Sequence, residues 1–293
     1  MEPPRTGEAR TGARARVRRD RTPRHKTQAM AELTETLKSL MLKALPDRLL
    51  FEIKKMHYLR HVRAFSVPEA RVIRALVKPG DHVVDIGANV GWYSKVLSGL
   101  VGSSGRVYSL EPVPSTFKLL RYCVKKLGLW NVETIECAMS DRTGLATMEV
   151  PVYRWGGDNF YEAEIVEDGG EQSQLRRFTV RVDTVDSLFH NVPAEITFMK
   201  VDVEGHEVAV LRGAKRVLSR TRPPLLLEMG GNPDDDKSSA RTLMVYLRDH
   251  EYSPYWFDGE RLRRWRTGDP LMNHFFLTAR HVERVTASGL SVC

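Results

Sequence analysis

An apolar run closes on an acid and then turns on two glycines at Val83-Val84-Asp85-Ile86-Gly87-Ala88-Asn89-Val90-Gly91, an order of residue types suited to holding a ligand against backbone. Gly87 and Gly91 lack the Cβ atoms that would block close approach. A helix predicted from Trp92 to about Leu100 would aim its free N–H groups and positive dipole end into the same space. Asp85, Gly87, Ala88, Asn89, Gly91 and, in the first helical turn, Tyr93 are therefore candidate cofactor-binding residues. The spacing is D-x-G-x-x-x-G. A dinucleotide site wants G-x-G-x-x-G, and position 89 is Asn, which argues against nicotinamide chemistry. A second apolar run, Arg106 to Leu110, ends at Glu111-Pro112. In an open parallel sheet the ligand lies outside the carboxyl ends of the strands, where a carboxylate can accept hydrogen bonds from both hydroxyls of a ribose. Glu111, with Pro112 beside it, is the predicted ribose site.

Two further strand ends carry acids. Ile196 to Val201 delivers Asp202-Val203-Glu204-Gly205-His206-Glu207 and a helix follows, while Pro223 to Leu227 ends in Glu228. Between these segments and the glycine turn lies Ala138-Met139-Ser140-Asp141, a loop placed to reach an adenine. The D-x-G-x-x-x-G turn resembles motif I of the class I S-adenosylmethionine (SAM)-dependent methyltransferases. Taken together, Asp85 to Gly91, Glu111-Pro112, Ala138 to Asp141, Lys200 to Glu207 and Leu211 to Ala214 resemble the FkbM family of those enzymes. The resemblance covers about residues 68 to 280, with one departure: His206 stands where the family more often has a small residue. It implies an α/β class I methyltransferase, Rossmann-like fold with a mostly parallel seven-stranded sheet in the order 3-2-1-4-5-7-6. The implied activity is O-methylation of a hydroxyl on a small molecule or sugar, with SAM bound by the residues above together with Ser140, Asp141 and Asp202.

With strands 1, 4 and 5 adjacent, Asp85, Asp202 and Glu228 fall at steps of about 4.8 Å across one crevice. Carboxylates that close raise each other's pKa unless a cation joins them, and SAM brings an ammonium and a sulfonium. Methyl transfer is an in-line displacement, so alignment and exclusion of water carry most of the catalysis. A base should take the acceptor's proton. Asp202 is the first choice and His206 the second, with Glu228 the remaining catalytic candidate. Asp202 could instead anchor the SAM amino group or cap a helix. Glu204 and Glu207 suit the helix terminus, where acids are favoured. Asp202, Glu228 and Asn232 also resemble by position the oxygen-ligand site of catechol O-methyltransferase. Mg²⁺ is thus an option, although the FkbM resemblance does not call for a metal.

The elements that must position these groups follow from periodicity. Residues 31–79 read as a helical N-terminal cap, with Leu33, Leu37, Leu40, Met41 and Leu45 at helical spacing, punctuation at Pro46, and a helix Val67 to Val77 capped by Ser66. Met56, His57, Tyr58 and His61 are candidates for a share in the substrate wall. Ser115 to Leu127 is an amphipathic helix stopped by Gly128, and Val132 to Cys137 a third strand. Leu145 to Val152 and Phe178 to Val185 alternate like an antiparallel pair around a polar excursion, Arg154 to Arg177, read as a lid. The chain of 293 residues is 42% hydrophobic, enough for one large α/β core. Its net charge of +8 is uneven: residues 1–30 hold nine Arg or Lys against three acids, six of the eight net charges, and read as a disordered basic tail. Residues 286–293 read as a flexible terminus. Three scattered cysteines and the lack of a long apolar run favour a reduced, cytoplasmic protein with neither membrane span nor secretory signal. Two other readings are open. One is a methyltransferase for RNA or another macromolecule that uses the basic tail, although nucleic acid is not the expected partner because strand 4 lacks the Asn/Asp-Pro-Pro-Tyr/Phe type. The other is a SAM-binding module without turnover.

Overall fold

The structure is a computed structural model and describes residues 46–151, 164–166, 175–192, 194–270 and 273–293. The basic tail and the leucine-spaced segment from Leu33 to Leu45 lie outside the described residues, as does most of the predicted lid.

Helices α1 (Asp47–Ala64) and α2 (Ala70–Leu76) precede strand β1 (His82–Ile86). The α/β alternation then runs α3 (Trp92–Val101), β2 (Arg106–Leu110), α4 (Pro114–Leu127) and β3 (Val132–Ile135). Four strands and a short helix come next: β4 (Ala138–Met139), β5 (Gly144–Pro151), β6 (Glu164–Val166), β7 (Leu175–Asp183) and α5 (Val185–Leu188). The chain finishes with β8 (Ile196–Val201), α6 (Glu207–Arg212), α7 (Lys215–Arg220), β9 (Leu225–Glu228), α8 (Ser239–Asp249), β10 (Ser253–Phe257), β11 (Leu262–Arg264), β12 (Asn273–Leu277) and α9 (Ala279–Ala287).

The main sheet has the order β11-β10-β12-β9-β8-β1-β2-β3. Five neighbouring strands, β9 to β3 in that order, are parallel, and β12 enters antiparallel between β9 and β10. With the outermost β11 set aside and the other seven strands of this sheet counted along the chain, that is the expected 3-2-1-4-5-7-6, and the class I methyltransferase fold is present. One strand was not foreseen. The three-residue β11 adds an eighth at the outer edge, held by β10 and by a bridge from Leu262 to Val292. That contact orders part of the terminus that reads as flexible from sequence.

Period-two alternation sorts the strands onto two cores. Val84, Met199, Leu227 and Phe276 point to the side covered by α6, α7 and α8, while Val83, Phe198, Leu226 and Phe275 point to the side covered by α2, α3 and α9. Two steps on along that second face, at the carboxyl ends of β1, β8 and β9, stand Asp85, Lys200 and Glu228. Asn273 of antiparallel β12 lies opposite Glu228. The alternation that buries the core therefore lines up the polar groups of the site.

Three boundaries differ from expectation. Ser66 is not a cap: helix α2 starts at Ala70, after a turn in which Ala70 N–H donates to Val67 O, because Pro68 disfavours the helical region for the residue before it, Val67. The strand predicted through Cys137 stops at Ile135, since Ala138 and Met139 leave the main sheet and pair with Val182 and Asp183 of β7. The predicted antiparallel pair is real in β5 and β7 but belongs to a four-stranded sheet, β4-β7-β5-β6, with β6 lying inside the segment read as a lid.

Candidate functional site

Outside the carboxyl ends of β1, β2, β8 and β9 lies a cavity of about 850 Å³. The glycine turn forms its floor with Gly87 at φ 74° and Asn89 at φ 49°, and ends behind it in Gly91 at φ 98°. A Cβ on Gly87 would stand 1.8 Å from the carbonyl oxygen of Asp202, so this position is glycine because two strand ends meet there. The turn's own N–H groups are taken within the protein. Gly87 and Ala88 donate to Leu110 O at 3.0 and 2.9 Å. Asn89 N–H donates to Glu111 Oε2 at 3.0 Å and Val113 N–H to Oε1 at 2.9 Å. The backbone thus orients the Glu111 carboxylate, whose oxygens each keep a lone pair for a ligand. Burial, only partly opposed by those two N–H bonds, pushes Glu111 up to about 7.

On the facing side Lys200, itself buried, places Nζ 2.7 Å from Asp202 Oδ2 and 4.7 Å from the centre of the Tyr93 ring. Tyr93 Oη accepts from Asn273 Nδ2 at 3.1 Å. Asp85 is fully buried; Ser94 Oγ donates to its Oδ2 at 2.7 Å and is in turn backed by Ser109 at 2.8 Å. Its Oδ1 meets no partner among the described residues. Burial raises Asp85 and would raise Asp202 too, but Lys200 and a hydrogen bond from Glu228 outweigh it and hold Asp202 below the usual carboxylate range. Glu228 carries the proton of that bond and is pushed up to about 8 by the bond first and by burial second. The oxygens of Asp202, Glu204 and Glu228 lie within 4.8 Å of one another, a set of hard donors. Asn232 is outside it, its Oδ1 accepting from Asp234 N–H.

Of the residues expected at the site, Asp85, Gly87, Ala88, Asn89, Tyr93, Glu111, Pro112, Asp202, His206 and Glu228 line the cavity. Gly91, Ser140 and Asp141 do not. Gly91 opens α3 and faces Leu120, 3.0 Å from where its Cβ would be. Ser140 is buried behind the wall with Oγ 2.8 Å from His206 Nε2, so it orients the imidazole. Asp141 is exposed beside it. Cys137, Ala138, Met139 and Met148 form the apolar wall in their place. Met56, His57, Tyr58 and His61 are off the cavity as well: the tilted rings of His57 and His61 meet at 4.2 Å on α1, and Tyr58 packs near Val62 and Leu119. The segment just after α1 supplies that wall, with Phe65, Val67, Pro68 and Glu69 against Trp92 and Tyr93. Lys200 and Asn273 were legible only through alternation, two residues from Asp202 and across from Glu228. Glu207 serves the turn, its Oε1 accepting from Val203 and Gly205 N–H.

The sequence matches the methyltransferase FkbM domain over residues 85–254. The chain belongs to the FkbM methyltransferase family. Among solved structures it is similar to the FkbM methyltransferase of Methylobacillus flagellatus KT, with 16% identity over 78% of this chain and 60% of that one and a TM-score of 0.44. It is also similar to an Aeropyrum pernix fibrillarin in complex with S-adenosyl-L-methionine, with 15% identity over 71% of each chain and a TM-score of 0.41. A short stretch of 59 residues is 37% identical to a protein-L-isoaspartate O-methyltransferase of Archaeoglobus fulgidus, covering 20% of this chain and 27% of that one. Among the described residues of this FkbM-family chain, no helix is long and apolar enough to cross a membrane.

The shifted carboxyls set a pH dependence of stability. Glu111 and Glu228 have folded values of about 7 and about 8 against 4.5 for an ordinary glutamate, so in that window the folded state keeps protons that the unfolded chain releases. Stability therefore falls as pH rises through the folded values. His281, lowered to about 4 chiefly by burial, acts the other way below pH 6.5. Once His281 is neutral in both states, above about pH 6.5, the ligand-free protein should melt at progressively lower temperature as pH rises toward 8. Glu111→Gln and Glu228→Gln should each flatten the alkaline slope, and a melting temperature that rises over that range would contradict the assignment.

Proposed function

We propose that the chain transfers the methyl group of SAM to a hydroxyl of a small molecule or sugar. The observation that carries this reading is the single cavity in which a backbone-oriented carboxylate, Glu111, shares one space with the Asp202–Glu228 pair. The residues fit the cofactor. Glu111 has lone pairs for two ribose hydroxyls, Ala138, Met139 and Met148 offer an apolar wall for an adenine, and Asp85 Oδ1 is a buried acceptor without a partner among the described residues. When bound, SAM supplies an electrophilic methyl carbon on a sulfonium.

The chain's own groups do the rest by position. Lys200 fixes the Asp202 carboxylate, and Asp202 accepts the acceptor's proton as the new bond forms. A carboxylate of low pKa suffices, because a hydroxyl oxygen becomes strongly acidic as it is alkylated. His206, steered by Ser140, is the second candidate base. Phe65, Trp92 and Tyr93 shield the acceptor side from water.

Calorimetry tests the cofactor assignment. The protein should bind SAM and S-adenosylhomocysteine, and Glu111→Ala should weaken both by about 1.5 to 3 kcal/mol, the worth of a hydrogen bond to a charged group. Tight NADH binding with no response to S-adenosylhomocysteine would sink the reading. Turnover on hydroxylated acceptors should exceed that on an isoaspartyl peptide, the acceptor type suggested by the short match to isoaspartate methyltransferases.

A further inference from the structure

We propose that the groove between α1 and α4 binds single-stranded nucleic acid. It is a shallow, open depression of about 640 Å³ beside the edge strand β3 and shares no lining residue with the cofactor cavity. Its charge has one sign. Lys118, Arg121 and Lys125 stand at i, i+3 and i+7 on the exposed face of α4, and no carboxylate lines the groove. Helix α4 contains no acid along its whole length, and among the described residues Lys118 and Lys125 meet no carboxylate. Lys55 of α1 is a fourth cation, already balanced by Glu52 at 2.7 Å, with its Nζ 5.1 and 5.2 Å from the rings of Phe51 and Tyr122.

Cations alone would describe a solvated helix face. The aromatic groups make the difference: Phe51 and Tyr122 are half-buried in the groove, and Trp130 at its rim is 67% exposed. A tryptophan left in water gains nothing from the fold, whereas its face offers a stacking platform for a base. The spacing selects a strand over a single anion. Lys118 to Lys125 covers seven residues, about 10 Å of helix, which lays the charges out in a line. A row of cations flanked by π faces fits a phosphate backbone with unstacked bases; an acidic peptide would match the charges and leave the aromatic faces unused. This surface is independent of the methyl acceptor, because Trp130 precedes β3 and lies toward the amino ends of the strands, away from the cavity.

Titrating a fluorescently labelled oligouridylate of about 12 nucleotides with the full-length protein, at roughly 50 and 200 mM salt, tests the proposal by anisotropy. Binding should saturate and weaken with salt at a log–log slope near about −2, as three phosphate contacts on a single strand require. Trp130→Ala should weaken it by about 5-fold or more, and Trp130→Phe should restore most of the loss. Lys118→Glu with Lys125→Glu should weaken it at least about tenfold, and S-adenosylhomocysteine affinity should stay unchanged in every variant. The basic residues 1–30 contain no Trp, Tyr or Phe, so the Trp130 response separates the groove from simple attraction to that segment. Oligonucleotide binding indifferent to Trp130 and to the two lysines overturns the proposal. So does equal, Trp130-dependent binding of poly-aspartate or of anionic vesicles, which would assign the groove to an acidic protein or a lipid surface.

Discussion

Asp202→Asn is expected to reduce turnover by roughly 10² or more while leaving S-adenosylhomocysteine affinity nearly unchanged. The substitution keeps the side chain's shape and removes its charge and basicity. The local balance should tolerate it. Lys200 keeps an acceptor in the amide oxygen, and Glu228, whose pKa stands near 8 because it shares a proton with Asp202, ionises more readily once that like charge is gone. One negative charge therefore remains beside Lys200, and the fold should survive. A collapse of cofactor affinity instead would make Asp202 an anchor for the SAM amino group and remove it from the chemistry. If turnover alone falls, chelation separates the two surviving roles. Asp202, Glu204 and Glu228 offer oxygens close enough for a dication to bridge, and activity untouched by EDTA leaves proton transfer as the function of Asp202.

The parts of the fold legible in the sequence were those where a local rule and the global topology agree. Asp85, Asp202 and Glu228 each close an apolar run, and strand ends in a parallel sheet converge on one crevice. Gly128 adopts φ 67° as the stop of α4 because a glycine after an amphipathic run is an ordinary helix terminator. The misses have a different origin. The N–H groups of Gly87, Ala88 and Asn89 are taken by Leu110 O and Glu111, which lie beside them in space, a pairing 22 residues apart for Asn89 that periodicity cannot reveal. Ser140 and Asp141 were displaced from the cavity because the chain swings at Ala138 to join a second sheet whose partner strand lies more than 40 residues on. Lys200 carried a readable signal: a lysine in an otherwise apolar strand, on the same face as Asp85 by alternation, must be paired once buried.

Gly87→Ala should be the most damaging small substitution in the domain, with a loss of more than about 4 kcal/mol and no measurable cofactor binding. Two effects add. Gly87 sits at φ 74°, where a Cβ costs about 1 to 2 kcal/mol on conformational grounds alone. The new methyl would also stand 1.8 Å from the Asp202 carbonyl oxygen and 2.9 Å from its carbon, both backbone atoms with no rotamer to change. Relief requires the ends of β1 and β8 to separate, which breaks the Asp202 N–H to Ile86 O bond of 3.1 Å and pulls Asp202 away from the cavity. Gly99 is the matched control. It lies exposed within α3 with nothing within 4 Å of its Cβ position, so Gly99→Ala should stabilise by about 0.5 to 1 kcal/mol through helix propensity. Thermal melts of the pair give the comparison directly, since both replace one hydrogen by one methyl. If Gly87→Ala melted within a few degrees of the parent and still bound S-adenosylhomocysteine, the close approach of the two strand ends would be wrong, and with it the placement of Asp202 beside the glycine turn.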